Sequence, residues 1–255
     1  MRTSHKEMRR KINAEVSKIT DEELFSSAAF AAYLTDIAEA VTKRYKRRLR
    51  VETIYDTSEN AMIACTNNRN ILINTGNYIS QSMPYRKLKA ESILGLVGHE
   101  AGHMLFTNFR ISETYFSELS YGRLYPQMEL SEEEQESFTE VTDYFKTGTE
   151  AQKQAILKAA KLLLNILEDA YIEARICDRY TGRFATGIHL NNIRFTEMMP
   201  SVTEQLTNGC YRFSVFCNLL NQYCRSGDIN NRDGYTGELL DLFYDVLPLV
   251  DDAIY

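Results

Sequence analysis

The segment Ser92-Ile93-Leu94-Gly95-Leu96-Val97-Gly98-His99-Glu100-Ala101-Gly102-His103-Met104-Leu105-Phe106 decides how this chain is read. His99 and His103 stand four residues apart, so a helix places both imidazoles on one face. With that spacing two histidines can share one zinc ion, and Glu100 lies beside the same face. Zinc would bring the pKa of a bound water toward ~7 and polarise a carbonyl oxygen. Glu100 would take the proton and pass it to the leaving amine. The apolar turns before the motif (Ile93, Leu94, Leu96, Val97) predict a buried helix, from about Tyr85 behind Pro84 to Thr107. Gly95, Gly98 and Gly102 each cost about 1 kcal/mol against alanine inside a helix. That cost predicts close packing there, against a strand or a metal.

A catalytic zinc takes three protein ligands and a water. A third histidine at position 109, after a glycine at 106, is excluded because Phe106 and Phe109 stand there. His5 falls near the terminus, and His189 in a stretch flanked by Gly182 and Gly187 that reads as a loop. A carboxylate is the better candidate. The helix that begins at Thr149 carries Leu164-Asn165-Ile166-Leu167-Glu168-Asp169-Ala170-Tyr171-Ile172-Glu173. Ile156, Ala159, Leu163, Leu167, Ala170 and Ala174 line one face at helical spacing. Leu162, Leu164, Ile172 and Ile176 lie elsewhere around it, so the helix is apolar nearly all round and is expected to be buried. Asp169 and Glu173 repel at i and i+4 unless something positive joins them. A zinc bound by one, with the other orienting a ligand histidine, resolves the conflict. Glu168 points to another side and is the alternative ligand, with Asp169 supporting it. The plainer alternative is that these acids pair with Arg175 and Arg179.

Elsewhere the chain reads as mostly helical with one small sheet, an α+β class. Thr20-Asp21-Glu22-Glu23 and Ser131-Glu132-Glu133-Glu134 are capping boxes. The first opens a helix with Phe25, Ala29, Ala32, Tyr33, Ile37 and Val41 on its inner face, ending in the basic run Lys43 to Arg48. Three short runs rich in β-branched residues (Leu49 to Tyr55, Ala61 to Thr66, Asn70 to Asn74) predict a small, mostly antiparallel sheet. Ile71 to Asn74 is placed to line a cleft and pair with an extended peptide. Gly148 ends one helix and Thr149 caps the next. Helices are expected again over Ser201 to Cys224 and Gly237 to Val246.

The 255 residues are 44% hydrophobic and 25% charged, which suits one globular domain, 48–108 holding the sheet and motif helix and 109–255 the ligand helix. A net charge of −6 argues against a general nucleic-acid binder. No apolar run approaches the ~20 residues of a membrane span, and the charged first residues lead into no apolar signal core. Five cysteines, three of them (Cys210, Cys217, Cys224) spaced by seven, read as reduced core residues in a cytoplasmic protein.

His-Glu-Ala-Gly-His-Met-Leu-Phe-Thr-Asn followed by Leu-Glu-Asp-Ala-Tyr-Ile-Glu resembles the gluzincin-type zinc metallopeptidases of the zincin fold. It is similar in particular to bacterial and phage members found with von Willebrand A domains. The likeness spans Asn70 to about Arg179. The separation between His103 and the acids is longer than in the commonest gluzincins. No von Willebrand A sequence is present. The resemblance implies a zinc peptidase, with His99 and His103 as ligands and Glu100 as base. An acidic ligand with a second acid four residues on fits Asp169 and Glu173 better than Glu168 and Ile172. The implied partners are a peptide or protein substrate and a von Willebrand A-type domain or chain. For the oxyanion of peptide hydrolysis, His189, Tyr171, Arg175 and Arg183 are candidate donors, His189 the first to test. The alternative function is a non-catalytic zincin scaffold that binds proteins.

Overall fold

The computed structural model describes residues 4–46 and 48–254; Arg47 of the basic run lies outside them. The described residues are mostly helical with a three-stranded sheet, and they form two compact units. The first holds the chain up to Leu105 together with Ile172–Met198; the second holds Phe106–Tyr171 and Met199 onward. No helix of the described residues is long and apolar enough to cross a membrane.

In the first unit, α1 (His5–Val16) buries none of its residues. The capping box at Thr20 forms as expected, the Glu23 carboxylate accepting from Thr20 N at 2.8 Å, but the helix it opens is short, α2 (Asp21–Phe25). The expected single helix breaks at Ser26 and Ser27. Ser27 caps a new one, α3 (Ala28–Thr42), by accepting from Phe30 N at 3.1 Å. The apolar period runs across this break, which is why periodicity alone missed it. The pair Ser26-Ser27 was the available signal, since serine competes for backbone bonds inside a helix.

The strands are β1 (Arg50–Ile54), β2 (Ala64–Thr66) and β3 (Asn70–Asn74). Their order is β1-β3-β2, with β1 parallel to β3 and β2 antiparallel to it. The sheet is therefore mixed, not mostly antiparallel. β3 is the middle strand, paired on both sides. It has no edge to offer a peptide, and the expected cleft-lining role of Ile71 to Asn74 is corrected accordingly. Alternation along the strands puts Val51, Ile71 and Ile73 on one buried face. They join Phe25, Leu34, Ala38, Ile93 and Val97 in one core. Thr35 ties α3 to the sheet by accepting from Val51 N at 3.0 Å. The buried amide of Asn74 makes four bonds: it accepts from Asp56 N and Gly76 N and donates to Asp56 O and Met62 O.

Two short elements lead into the main helix of this unit: α4 (Tyr78–Gln81), then α5 (Arg86–Phe106). Asp21 holds the start of α5 through Arg86 Nε at 2.6 Å and Lys89 Nζ at 2.8 Å. Near its other end, Arg44 donates to Met104 O at 3.2 Å and to Asn68. Residues 183–198, expected to begin as a loop, form a regular helix, α9 (Arg183–Met198). Its Gly187 is no loop marker. A Cβ built on Gly95 of α5 would stand 2.3 Å from Gly187 C, and one on Gly187 would stand 2.3 Å from Glu91 O. Two backbones touch there, and only glycine on both sides permits it. A Cβ on Gly98 would meet Phe184 at 2.6 Å, and one on Gly102 would meet Ile172 at 3.2 Å. The glycines of α5 thus accommodate neighbouring helices rather than a strand.

The second unit is helical: α6 (Phe109–Ser120), α7 (Glu132–Thr147), α8 (Glu150–Arg179) as far as Tyr171, α10 (Val202–Thr207), α11 (Arg212–Ser226) and α12 (Glu238–Ile254). α6 lies in a stretch read only as polar; the Asn108 side chain caps it by accepting from Ile111 N at 3.2 Å. The Ser131 box starts α7 as expected. The helical stretch expected over Ser201 to Cys224 forms as α10 and α11, parted around Gly209 at φ +77°. Cys210 is exposed ahead of α11 and Cys65 is exposed as well, so neither is the core residue expected; Cys217 is buried and Cys224 half-buried. The core here is Ile166, Val202, Val215, Leu219, Leu239 and Phe243 with their neighbours.

Candidate metal centre

α5 presents its two histidines on one side, as the four-residue spacing requires. His99 Nε2 and His103 Nε2 face each other at 3.2 Å. Two imidazole nitrogens, each about 2.0–2.1 Å from one tetrahedral zinc, would stand about 3.3 Å apart. The pair thus has the separation of two ligands of a single ion. The other ring nitrogen of His99, Nδ1, lies 2.7 Å from Glu173 Oε1. An ionised carboxylate only accepts, so this contact favours the His99 tautomer with its proton on Nδ1, whose Nε2 accepts in its contact with His103. Glu173 is 7% exposed, and its second oxygen, Oε2, accepts from Asn192 Nδ2 at 2.6 Å. Both oxygens of a buried anion are therefore satisfied.

Glu100 is next to His99 in sequence and is 5% exposed. Its charge is felt on β2: the Cys65 thiol is pushed above its ordinary pKa, first by partial burial and then by the Glu100 carboxylate. On α8 the Cys177 thiol is pushed up to about 11, by burial and then by the charge of Glu173.

The other residues singled out in the sequence are placed as follows. Asp169 precedes Glu173 by one turn of the unbroken helix α8. It accepts from Arg225 Nη2 of α11 at 2.7 Å. The group of residues that could each offer one atom to a metal ion consists of His99 and His103 in the first unit and Asp169 in the second. Two imidazoles and a carboxylate suit zinc, and they suit other divalent first-row metals as well. Glu168 is half-buried on α8 and is not in that group. His189 sits on α9 rather than in a loop, is exposed, and is not in the group either. The repulsion between Asp169 and Glu173 is met by different partners, Arg225 for one and His99 with Asn192 for the other. Sequence reasoning missed both Asn192 and Arg225. Nothing around Arg225 sets it apart, whereas the adjacent polar pair Asn191-Asn192 between Leu190 and Ile193 was a visible hint of buried amides.

The chain matches no protein-family model, no curated protein and no solved structure.

Proposed function

We propose that this protein is a zinc-dependent peptidase with a zincin-like fold, working in the cytoplasm. The reading is carried by one observation. The His99 and His103 Nε2 atoms converge at 3.2 Å while a buried carboxylate holds the opposite nitrogen of His99. In the metal-free chain His103 Nε2–H can donate to His99 Nε2 across this distance, and the same separation suits two ligands of one ion. A divalent cation between them turns the arrangement into a binding site.

His99, His103 and a carboxylate of α8, Asp169 in our assignment, would hold the ion, leaving a position for water. When bound, zinc supplies Lewis acidity, making water a usable nucleophile near neutral pH and polarising a carbonyl. Glu100 is the base. Its carboxylate removes a proton from the attacking water as the new C–O bond forms. It then gives that proton to the amide nitrogen as the C–N bond breaks. Glu173 keeps the Nδ1 proton of His99 in place throughout. A peptide substrate would be held in part by backbone pairing. The free edges of the sheet belong to β1 and β2, and β2, whose Cys65 senses Glu100, is the one we assign to it. A von Willebrand A-type partner domain or chain remains part of this proposal through the resemblance of the motif segments.

The test is metal analysis and peptide hydrolysis of the wild type and Glu100→Gln. The wild type is expected to carry one zinc and to lose activity to a chelator. Glu100→Gln should keep the metal and lose about 10²- to 10⁴-fold in rate, the usual share of a general base. A wild type that takes up no zinc, or a Glu100→Gln variant of equal activity, overturns the assignment.

A further inference from the structure

Asn191 and Asn192 are adjacent on α9 and both are buried. Successive helical residues point about 100° apart, so one helix reaches two others. Asn191 grips α5: its Nδ2 donates to Ser92 O at 3.0 Å, and its Oδ1 accepts from Ser92 Oγ at 2.6 Å. Ser92 continues through Ser80 Oγ at 2.7 Å to the side chain of Asn77, which tops α4. Asn192 grips α8: its Nδ2 donates to Glu173 Oε2 at 2.6 Å, while Glu173 Oε1 accepts from His99 Nδ1. α9 can approach this closely because Gly95 and Gly187 put backbone against backbone.

We propose that Asn192 is a positioning residue for the metal centre, acting through Glu173 to fix the ring of His99 with its proton on Nδ1 and its lone pair on Nε2. This deepens the peptidase reading and rests on it for its purpose, but its geometry stands without any ion. A carboxylate held at one oxygen can swing about its Cγ–Cδ bond and release the imidazole to its other tautomer. Held at both oxygens in a site with little solvent, it cannot turn without leaving a buried charge unbonded. Partners that orient a ligand histidine in this way are commonly worth about 10- to 100-fold in metal affinity.

Asn191 provides the control. It is buried on the same helix and makes the same kind of bonds, yet it touches α5 and not Glu173. Asn191→Leu and Asn192→Leu each remove an amide of similar volume. Long-range nitrogen–proton correlation spectra of the metal-free proteins report which ring nitrogen of His99 bears the proton, at about pH 8, above the ordinary imidazole pKa of ~6.5. We expect the Nδ1–H form to dominate in the wild type and in Asn191→Leu. In Asn192→Leu the Nε2–H form should appear and zinc affinity should fall about 10- to 100-fold. If Asn192→Leu fails to fold, Asn192→Ser is read in its place. Its hydroxyl is too short to reach Glu173, so the same tautomer shift is expected. Equal tautomer populations in wild type and the Asn192 variant, or equal shifts in both leucine variants, overturn the proposal. A wild type that binds no zinc defeats the peptidase reading instead and leaves the tautomer result to judge Asn192 separately.

Discussion

The two units bury polar groups very differently. The first encloses Asn74, Thr75, Asn77, Ser80, Ser92, Asn191 and Asn192, together with Glu100 and Glu173, the buried carboxylates among the described residues. The second encloses Thr142, Ser201, Gln205 and Gln222 around an aliphatic core and no carboxylate. There Gln222, for example, donates to Asn218 O and accepts from Asn230 N at 2.8 Å. A carboxylate taken out of water costs several kcal/mol unless it is bonded or paired. A fold that needs only stability gains as much from leucine at such a position. Glu100 and Glu173 are the carboxylates to which our proposal gives a chemical role.

The comparison can be broken most directly by overfilling one unit and hollowing the other. Gly95→Ala would force a methyl against the Gly187 backbone at 2.3 Å, where no flexible side chain can yield. We expect a loss of about 3 kcal/mol in urea unfolding, the upper part of the range for overpacking, and a disturbed tautomer at His99. Leu219→Ala, fully buried in the second unit, should cost a similar ~3 kcal/mol and leave the His99 ring nitrogens as they were. A His99 signature altered by both, or by neither, would end the distinction between the units.

A smaller effect sharpens the electrostatic side. Burial raises the pKa of Asp21, but its bonds to Lys89 and Arg86 outweigh that and hold it below 3.8. A carboxyl with a lowered folded pKa stabilises fully above its unfolded value, and the contribution is lost as pH falls through the folded one. Asp21→Asn should therefore cost up to about 1 kcal/mol at neutral pH. The gap to wild type should close as the pH drops below 3.8. A gap that widens in acid would contradict the ion pairs at the head of α5.

Smallest of all is a labelling pattern. Cys217 and Cys224 have thiols pushed up to about 11 by burial, as does Cys177, where Glu173 adds to it. Cys65 and Cys210 are exposed. A thiol reagent at mild alkaline pH should modify the exposed pair first and reach the other three only on unfolding. Early labelling of Cys217 would show that the aliphatic core of the second unit is looser than its packing implies.

The parts of this molecule legible in its sequence are those governed by local rules. The capping boxes at Thr20 and Ser131, the bounds of α5 and the convergence of His99 with His103 follow from short-range spacing. The rest depends on what meets across the fold. The strand segments could be found, but nothing in them says that β3 lies between β1 and β2, since that order is decided by which faces are buried. Gly187 read as a loop because a glycine in a helix costs stability, and the compensating contact with Gly95 lies 92 positions away in the chain. The like charges at Asp169 and Glu173 signalled that partners were needed. Their separate answers, Arg225 and the His99–Asn192 pair, come from other helices and leave no periodic trace.

The meeting of Gly95 with Gly187 has a consequence for kinship. Where side chains separate two helices, a larger residue on one can be offset by a smaller one on the other, and the spacing drifts over generations. Here the spacer is bare main chain, whose dimensions no substitution can alter. A distant relative that retains this histidine arrangement should therefore keep both positions side-chain-free, even after the rest of its sequence has become unrecognisable.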